Sequence, residues 1–167
     1  MDKDLQRTLV LLKPDAVQRG LIGRIIQRFE DVGLKIVGMK MVWVDERLAN
    51  EHYNDLGIRR GDDVKKKVVD MLTKLGPVVA IALEGIDVVE EVRMMVGSTE
   101  PKAAQPGTIR GDFAHISYDY ANKKGIGIKN VIHASGTPEE ANREVMLWFN
   151  FDELYDYKTV NDIHILE

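Results

Sequence analysis

The residues in this chain best suited to chemistry are one histidine and a few cations that stand beside turns. His133 sits in the short apolar run Asn130-Val131-Ile132-His133-Ala134-Ser135. Small residues follow it, and then a helix start, Thr137-Pro138-Glu139-Glu140. Folds that mix strands and helices place ligands and reacting groups at such strand-to-helix joins. A near-neutral imidazole there could serve as a base, a ligand or a nucleophile. Position alone does not choose, because a strand-end histidine is more often a packing or surface residue. Lys13, Arg93, Thr99 and Arg110 also stand beside turns or strand ends. Arg110 lies at the centre of a glycine-flanked loop, Pro106 to Asp112. Its planar fork suits phosphate oxygens, although an ordinary turn can carry an arginine too.

Several chemistries are excluded. With no cysteine, thiol nucleophiles, disulfides and thiolate-bound metals are ruled out. His52, His115, His133 and His164 are scattered without ligand spacing, so no metal cage is expected. Neither a GxxxxGK[ST] loop nor a GxGxxG turn after a strand occurs. The net charge of −4 argues against nucleic-acid binding through a basic surface, but leaves room for a local positive pocket. Met1-Asp2-Lys3-Asp4 has no apolar leader run, and no stretch approaches the ~20 apolar residues of a membrane span. The expectation is a cytoplasmic protein with no membrane partner, forming a single domain over residues 1–167.

Elements that could position these residues follow from the patterning. Thr8 to Leu12 reads as a central strand, ended by Lys13-Pro14-Asp15. Ile22, Ile25, Ile26, Phe29 and Val32 repeat at helical spacing up to Gly33. Leu34 to Val44 reads as a second strand, and Arg47 to Tyr53 as a short helix. Asn54 to Asp63 reads as a loop, with Asp62 or Asp63 capping a helix that carries Val64, Val68, Met71, Leu72 and Leu75. A third strand, Val78 to Leu83, follows the Gly76-Pro77 turn, and Asp87 is expected to cap a helix that closes at Gly97. Ser98 to Lys129 has little periodicity, and loops that long are often functional. Ile128 to His133 reads as a fourth strand. Thr137 and Glu140 form a capping box with Pro138 in the first helical position. The tail, Phe151 to Glu167, is expected to pack over the body or against another subunit. This order predicts an α+β fold of the ferredoxin-like split βαβ type. It has a four-stranded, mostly antiparallel sheet, helices on one face, a helical insertion and a long functional loop.

Ordered motifs along nearly the whole chain then carry a resemblance. They are Lys13 to Gly23, Glu51-His52-Tyr53, Gly76-Pro77-Val78-Val79, Arg93 to Pro101, Pro106 to Phe113, Asn130 to Ser135, and Glu144 to Phe149. The chain resembles the nucleoside diphosphate kinases. That resemblance implies reversible, ping-pong transfer of a γ-phosphoryl group between nucleoside triphosphates and diphosphates through a phosphohistidine on His133. It implies that Arg93, Thr99 and Arg110 hold phosphates, and that Lys13 and Asn130 meet the ribose and phosphate region. Tyr53 would support the transferring group, Glu144 would orient the imidazole, and Ser135 would support that network. It further implies Mg2+ carried with the nucleotide, no dedicated metal site, and a homo-oligomer (hexamer, tetramer or dimer).

Two departures accompany the resemblance. Asn54 to Leu75 holds no aromatic residue where the family usually has one beside the base, and Phe113 to Asn130 is longer than usual. The expectation is a base held by Val64 on one side and Ile126 or Ile128 on the other. Gly136 also stands where the family often has an acidic residue. Two rival readings compete. A nucleotide-binding module without turnover would have no need of His133. An RNA-binding sheet would need aromatic strands and a basic excess, and both are lacking.

Overall fold

Two strands of the computed structural model, which describes residues 5–166, are apolar on both faces, and this sets the layering. They are β1 (Leu5–Leu12) and β3 (Val78–Ile86). Strands of that kind need cover on both sides. Val10, Leu12, Ile81 and Leu83 face one core, shared with Ile25 and Phe29 of α2 (Ile22–Asp31) and Val88, Val92 and Val96 of α6 (Val88–Val96). Leu9, Leu11, Ala80 and Ala82 face a second core, shared with Ala49, Leu72, Val145 and Trp148. Those four come from α3 (Glu46–His52), α5 (Asp62–Lys74) and α9 (Pro138–Trp148). Helices therefore cover both faces rather than the expected one.

The sheet order is β2-β3-β1-β4, with β2 spanning Lys35–Val42 and β4 spanning Ile132–Ala134. Every pairing is antiparallel, so the ferredoxin-like α+β fold is as expected. Leu11 pairs with His133, which places the histidine at the end of the central strand β1. The N-terminal stretch Met1 to Asp4 lies outside the described residues.

Local differences from the sequence pattern have physical causes. Within the expected loop 54–63 there is a short helix, α4 (Leu56–Arg60). The cap of α5 is Gly61, and neither Asp62 nor Asp63 caps it. Val64 and Leu75 are exposed, so the buried face of α5 centres on Val69, Met71 and Leu72. Asp87 occupies the cap position of α6 in a left-handed conformation, with no side-chain cap bond. The capping box at Thr137 is half formed. Thr137 accepts from Glu140 N, but the Glu140 carboxylate reaches back to Gly136 N at 2.9 Å. The long loop contains α7 (Ile109–Phe113) and α8 (Tyr118–Lys123). The tail runs along β2, where Tyr155 N donates to Val37 O and the Tyr157 hydroxyl to Ile36 O.

The shortest strand is the one that matters most. β4 begins at Ile132, later than the expected Ile128, because Val131 turns the chain with φ at 60°. Ile132 N donates to Asn130 O across it at 2.7 Å, a γ-turn. A β-branched residue at positive φ is a strained exception. Lys13 N donates to Val131 O at 2.9 Å and Asp15 Oδ2 accepts from Val131 N at 3.0 Å, which together hold it. These contacts come from the end of β1 and from α1 (Pro14–Gln18).

Helix α7, which carries Arg110, tolerates no side chain at Gly111, because a Cβ there would run into the backbone carbonyl of Gln105. Gly111→Ala is expected to destabilise the fold by about 1–3 kcal/mol or more, as overpacking does. Urea denaturation would read this, and a midpoint equal to wild type would contradict it.

Candidate active site

His133, on β4, lies on the wall of a cavity of about 920 Å³. The cavity is also lined by Lys13, Tyr53, Arg93, Thr99, Arg110, Asn130 and Glu144. Eight of the nine residues singled out in the sequence thus converge on one space. Ser135, the ninth, is fully buried behind it.

Each arrives from a different element. Lys13 ends β1 and is buried; its Nζ donates to Asn130 Oδ1 at 2.6 Å. Burial, followed by the nearby Arg110, lowers the Lys13 ammonium to about 8. Asn130 in turn donates from Nδ2 to Thr99 O at 2.8 Å, so one amide ties the lysine to the long loop. Arg110 is buried, and its Nε, Nη1 and Nη2 donate to the carbonyls of Asn130, Gly97 and Ile132. A guanidinium has five N–H groups, so two remain for a ligand. Burial brings Arg110 down to about 10, still charged at neutral pH. Arg93 is exposed on α6, and its side chain makes no hydrogen bond or ion pair among the described residues. Burial pushes the Tyr53 hydroxyl well up, so it stays a neutral donor.

Behind His133 lies a buried carboxylate. Glu144, on α9, accepts from His133 Nε2 at 2.9 Å and from Ser135 Oγ at 2.7 Å through the same oxygen, Oε2. Burial opposes its charge, but the His133 hydrogen bond and the neighbouring imidazoles prevail and bring it down to about 2. An ionised carboxylate is only an acceptor. His133 Nε2 therefore carries a proton, and in the neutral ring Nδ1 keeps the lone pair.

Several residues in this space were not singled out from sequence. His52, from α3, packs edge-to-face on His133, with ring centroids 4.4 Å apart. Together with Glu144 the two histidines offer ligand atoms within 4.8 Å of one another, although their sequence positions lack ligand spacing. In the observed arrangement these groups are engaged in hydrogen bonds, His52 with Trp148 and His133 with Glu144. Arg59 and Arg60 of α4 also line the cavity, as does Arg143, whose Nη2 lies 3.6 Å from Glu144 Oε1. The signal for Arg59 and Arg60 was hidden because their segment reads as a loop; Arg143 adjoins Glu144 in sequence and could have been flagged. Val64, Val68, Ile128 and Tyr118 also line the cavity. Ile126 is not among the lining residues. A Cβ at Gly136 would meet the Glu140 carboxylate, which occupies the neighbouring space.

The arrangement can hold a polyanion before an oriented imidazole with one free nitrogen. Known proteins agree with it. A family model described as nucleoside diphosphate kinase matches residues 6–154. A nucleoside diphosphate kinase of Borreliella burgdorferi is 47% identical over 156 residues, covering 92% of this chain and 93% of that protein. One from Pyrococcus furiosus is 51% identical, covering 92% and 89%. Among solved structures, a transition-state mimic of the nucleoside-diphosphate kinase from Borrelia burgdorferi, with bound vanadate and ADP, superposes with a TM-score of 0.95. It is 45% identical and 98% of each chain is covered. A halophilic nucleoside diphosphate kinase from Halobacterium salinarum in complex with CDP gives 0.82, at 39% identity with 97% and 99% covered. No helix among the described residues is long and apolar enough to cross a membrane.

The Glu144 carboxyl has a folded-state pKa below its usual 4.5. Its stabilisation is therefore fully present above about pH 4.5 and fades as pH falls toward about 2. Glu144→Gln is expected to unfold roughly 2 kcal/mol more easily at about pH 7, with the gap closing toward about pH 3. Urea midpoints across that range test this, and a gap independent of pH would refute it.

Proposed function

The chain belongs to the nucleoside diphosphate kinase family, and on that premise we propose that His133 Nδ1 is the atom that carries the phosphoryl group. The enzyme exchanges phosphoryl groups between nucleoside triphosphates and diphosphates. The observation that carries the assignment is the 2.9 Å hydrogen bond from His133 Nε2 to the ionised Glu144, which leaves Nδ1 as the ring's lone pair. In the first half-reaction that lone pair attacks the γ-phosphorus. A P–N bond forms, the bond to the bridging oxygen breaks, and the diphosphate leaves with its electrons. No proton needs to move, since the Nε2 proton stays on the ring, donated to Glu144. The ring gains positive character as it is phosphorylated, and the carboxylate behind it stabilises that charge. The second half-reaction is the reverse, onto a different diphosphate.

Charge neutralisation falls to the cations around the cavity. Arg93 has its whole guanidinium available, Arg110 two N–H groups and Lys13 two more. Tyr53 remains a neutral donor beside them, and Thr99 lies on the same wall. Asn130 places Lys13, and Ser135 places Glu144. Phosphoryl transfer needs little more than such positioning and electrostatic support. The vanadate and ADP bound by the Borrelia burgdorferi relative support this reading. Magnesium enters as part of the nucleotide substrate. Two carboxylates at the cavity, Asp55 and Glu140, are engaged by Arg59 and by Gly136 N.

The same reading includes a cytoplasmic location, a single domain and a homo-oligomer of two, four or six copies. The exposed side chains of Met39 and Met41 on β2, and of Trp43 just after it, suit a contact between copies, in addition to the long loop and the tail. A monomeric mass by light scattering would count against the oligomer.

Two experiments test the assignment. Incubation with γ-labelled ATP should put acid-labile label on the protein, and added GDP should remove it. His133→Ala should take up none, and equal labelling of that variant would overturn the mechanism. The base is held by aliphatic walls, Val64 and Val68 against Ile128, without the ~1–3 kcal/mol that an aromatic platform can add. Val64→Ser should accordingly raise nucleotide KM several-fold while leaving kcat near wild type. A nucleotide complex with the base stacked on Tyr118 instead would contradict this slot.

A further inference from the structure

His52 lines this site with a buried ring nitrogen that has no partner among the described residues. Its ring lies between Trp148 and His133, edge-to-face with both, at centroid distances of 5.6 and 4.4 Å. Tyr53 closes a third side at 4.5 Å. Trp148 Nε1 donates to His52 Nδ1 at 3.2 Å. An indole nitrogen is only a donor, so Nδ1 must present its lone pair and the ring proton must sit on Nε2. Nε2 is buried and has no hydrogen-bond partner among the described residues. Burial, and then the neighbouring His133, keep His52 well below the usual histidine range, so the ring is neutral. The groups facing it are Glu144, whose Oε1 lies 3.7 Å from Nδ1, with His133, Tyr53 and Trp148, and with Arg143 and Lys13 farther off.

An unpartnered buried donor is costly and rare in a native structure. Here it belongs to a residue on the wall of the cavity where the phosphoryl group arrives. We propose that His52 is a catalytic residue for phosphotransfer, locked by Trp148 as the Nε2–H tautomer, whose N–H takes a phosphoryl oxygen as its acceptor when the group stands on His133. The inference rests on the assignment of His133 as the phosphorylated residue. A neutral His52 also leaves Glu144 to serve His133. A cationic ring 3.7 Å from Oε1 would compete for that carboxylate.

Three substitutions separate the roles. His52→Asn places an acceptor near the Nδ1 position and keeps a partner for Trp148, but has no donor at Nε2. His52→Gln places an amide N–H near the Nε2 position and gives up the Nδ1 acceptor. His52→Phe keeps the ring and neither polar atom. Phosphoenzyme formation at saturating ATP, nucleotide KM and thermal unfolding are measured for all three. Nitrogen-15 NMR of the wild-type imidazoles is recorded before and after phosphorylation. The proposal expects His52→Gln to phosphorylate within a few-fold of wild type. It expects His52→Asn and His52→Phe to slow by about tenfold or more, with KM little changed. It expects the His52 Nε2 resonance to be protonated and to move when His133 is phosphorylated.

A purely structural role would reverse the order of Asn and Gln, because the Trp148 bond would then matter more than the donor. That order overturns the proposal, as does an Nδ1–H tautomer or an Nε2 resonance that phosphorylation leaves in place. The NMR readout needs only the wild-type protein, so it stands even if a variant fails to fold. If wild type is never labelled on His133, the functional assignment fails as well. If wild type is labelled and only the variant order is wrong, the His52 role alone is lost.

Discussion

A valine held at positive φ is the constraint on which this active site depends. Val131 turns the chain two residues before His133, and a β-branched residue in that conformation costs on the order of 1–3 kcal/mol. Such strain persists only where the surroundings over-determine it. Here Lys13 N and Asp15 hold both peptide groups of the turn. Arg110 takes the carbonyls on either side, those of Asn130 and Ile132. The three-residue strand that follows pairs with β1, which is buried on both faces and cannot shift without exposing core. His133 is thereby fixed to a strand that is buried on both faces.

The struts of that turn are also the cations of the cavity. Lys13 and Arg110 each spend part of their hydrogen-bonding capacity on the protein and keep part for a ligand. The economy carries an electrostatic cost. Burial, and then the nearby Arg110, lower the Lys13 ammonium to about 8. Behind His133 the opposite sign rules. Glu144 is buried, yet it stays ionised because His133 and Ser135 both bond to it. The site is thus a negative charge beneath an imidazole and positive charges above it.

Much of this was legible in the chain before folding was considered. The continuous apolar runs at Thr8 to Leu12 and Val78 to Leu83 marked the central strands, and the helix starts and stops were close. What misled was local. Val131 reads as one more strand residue, since β-branched side chains favour strands, and nothing nearby announces a turn. Residues 56–60 read as loop because the helix there buries no side chain and so has no apolar period. Continuous apolarity in β1 and β3 did signal cover on both faces, and that signal was under-read.

Residue patterning by itself determined an α+β fold, and the ordered motifs pointed to phosphotransfer through their resemblance to the nucleoside diphosphate kinases. The motifs holding Lys13, Tyr53, Arg93, Arg110, Asn130, His133 and Glu144 survive as linear text, because each needs a fixed local element under it. Only the tertiary structure decided which ring nitrogen is free, since that follows from a hydrogen bond between residues on β4 and α9. Only it brought His52 against His133 and left one of its nitrogens without a partner. The first of these contacts joins residues 11 positions apart and the second, His52 to His133, residues about eighty apart. They are set by how two helices dock on one face of a sheet, which no local pattern records.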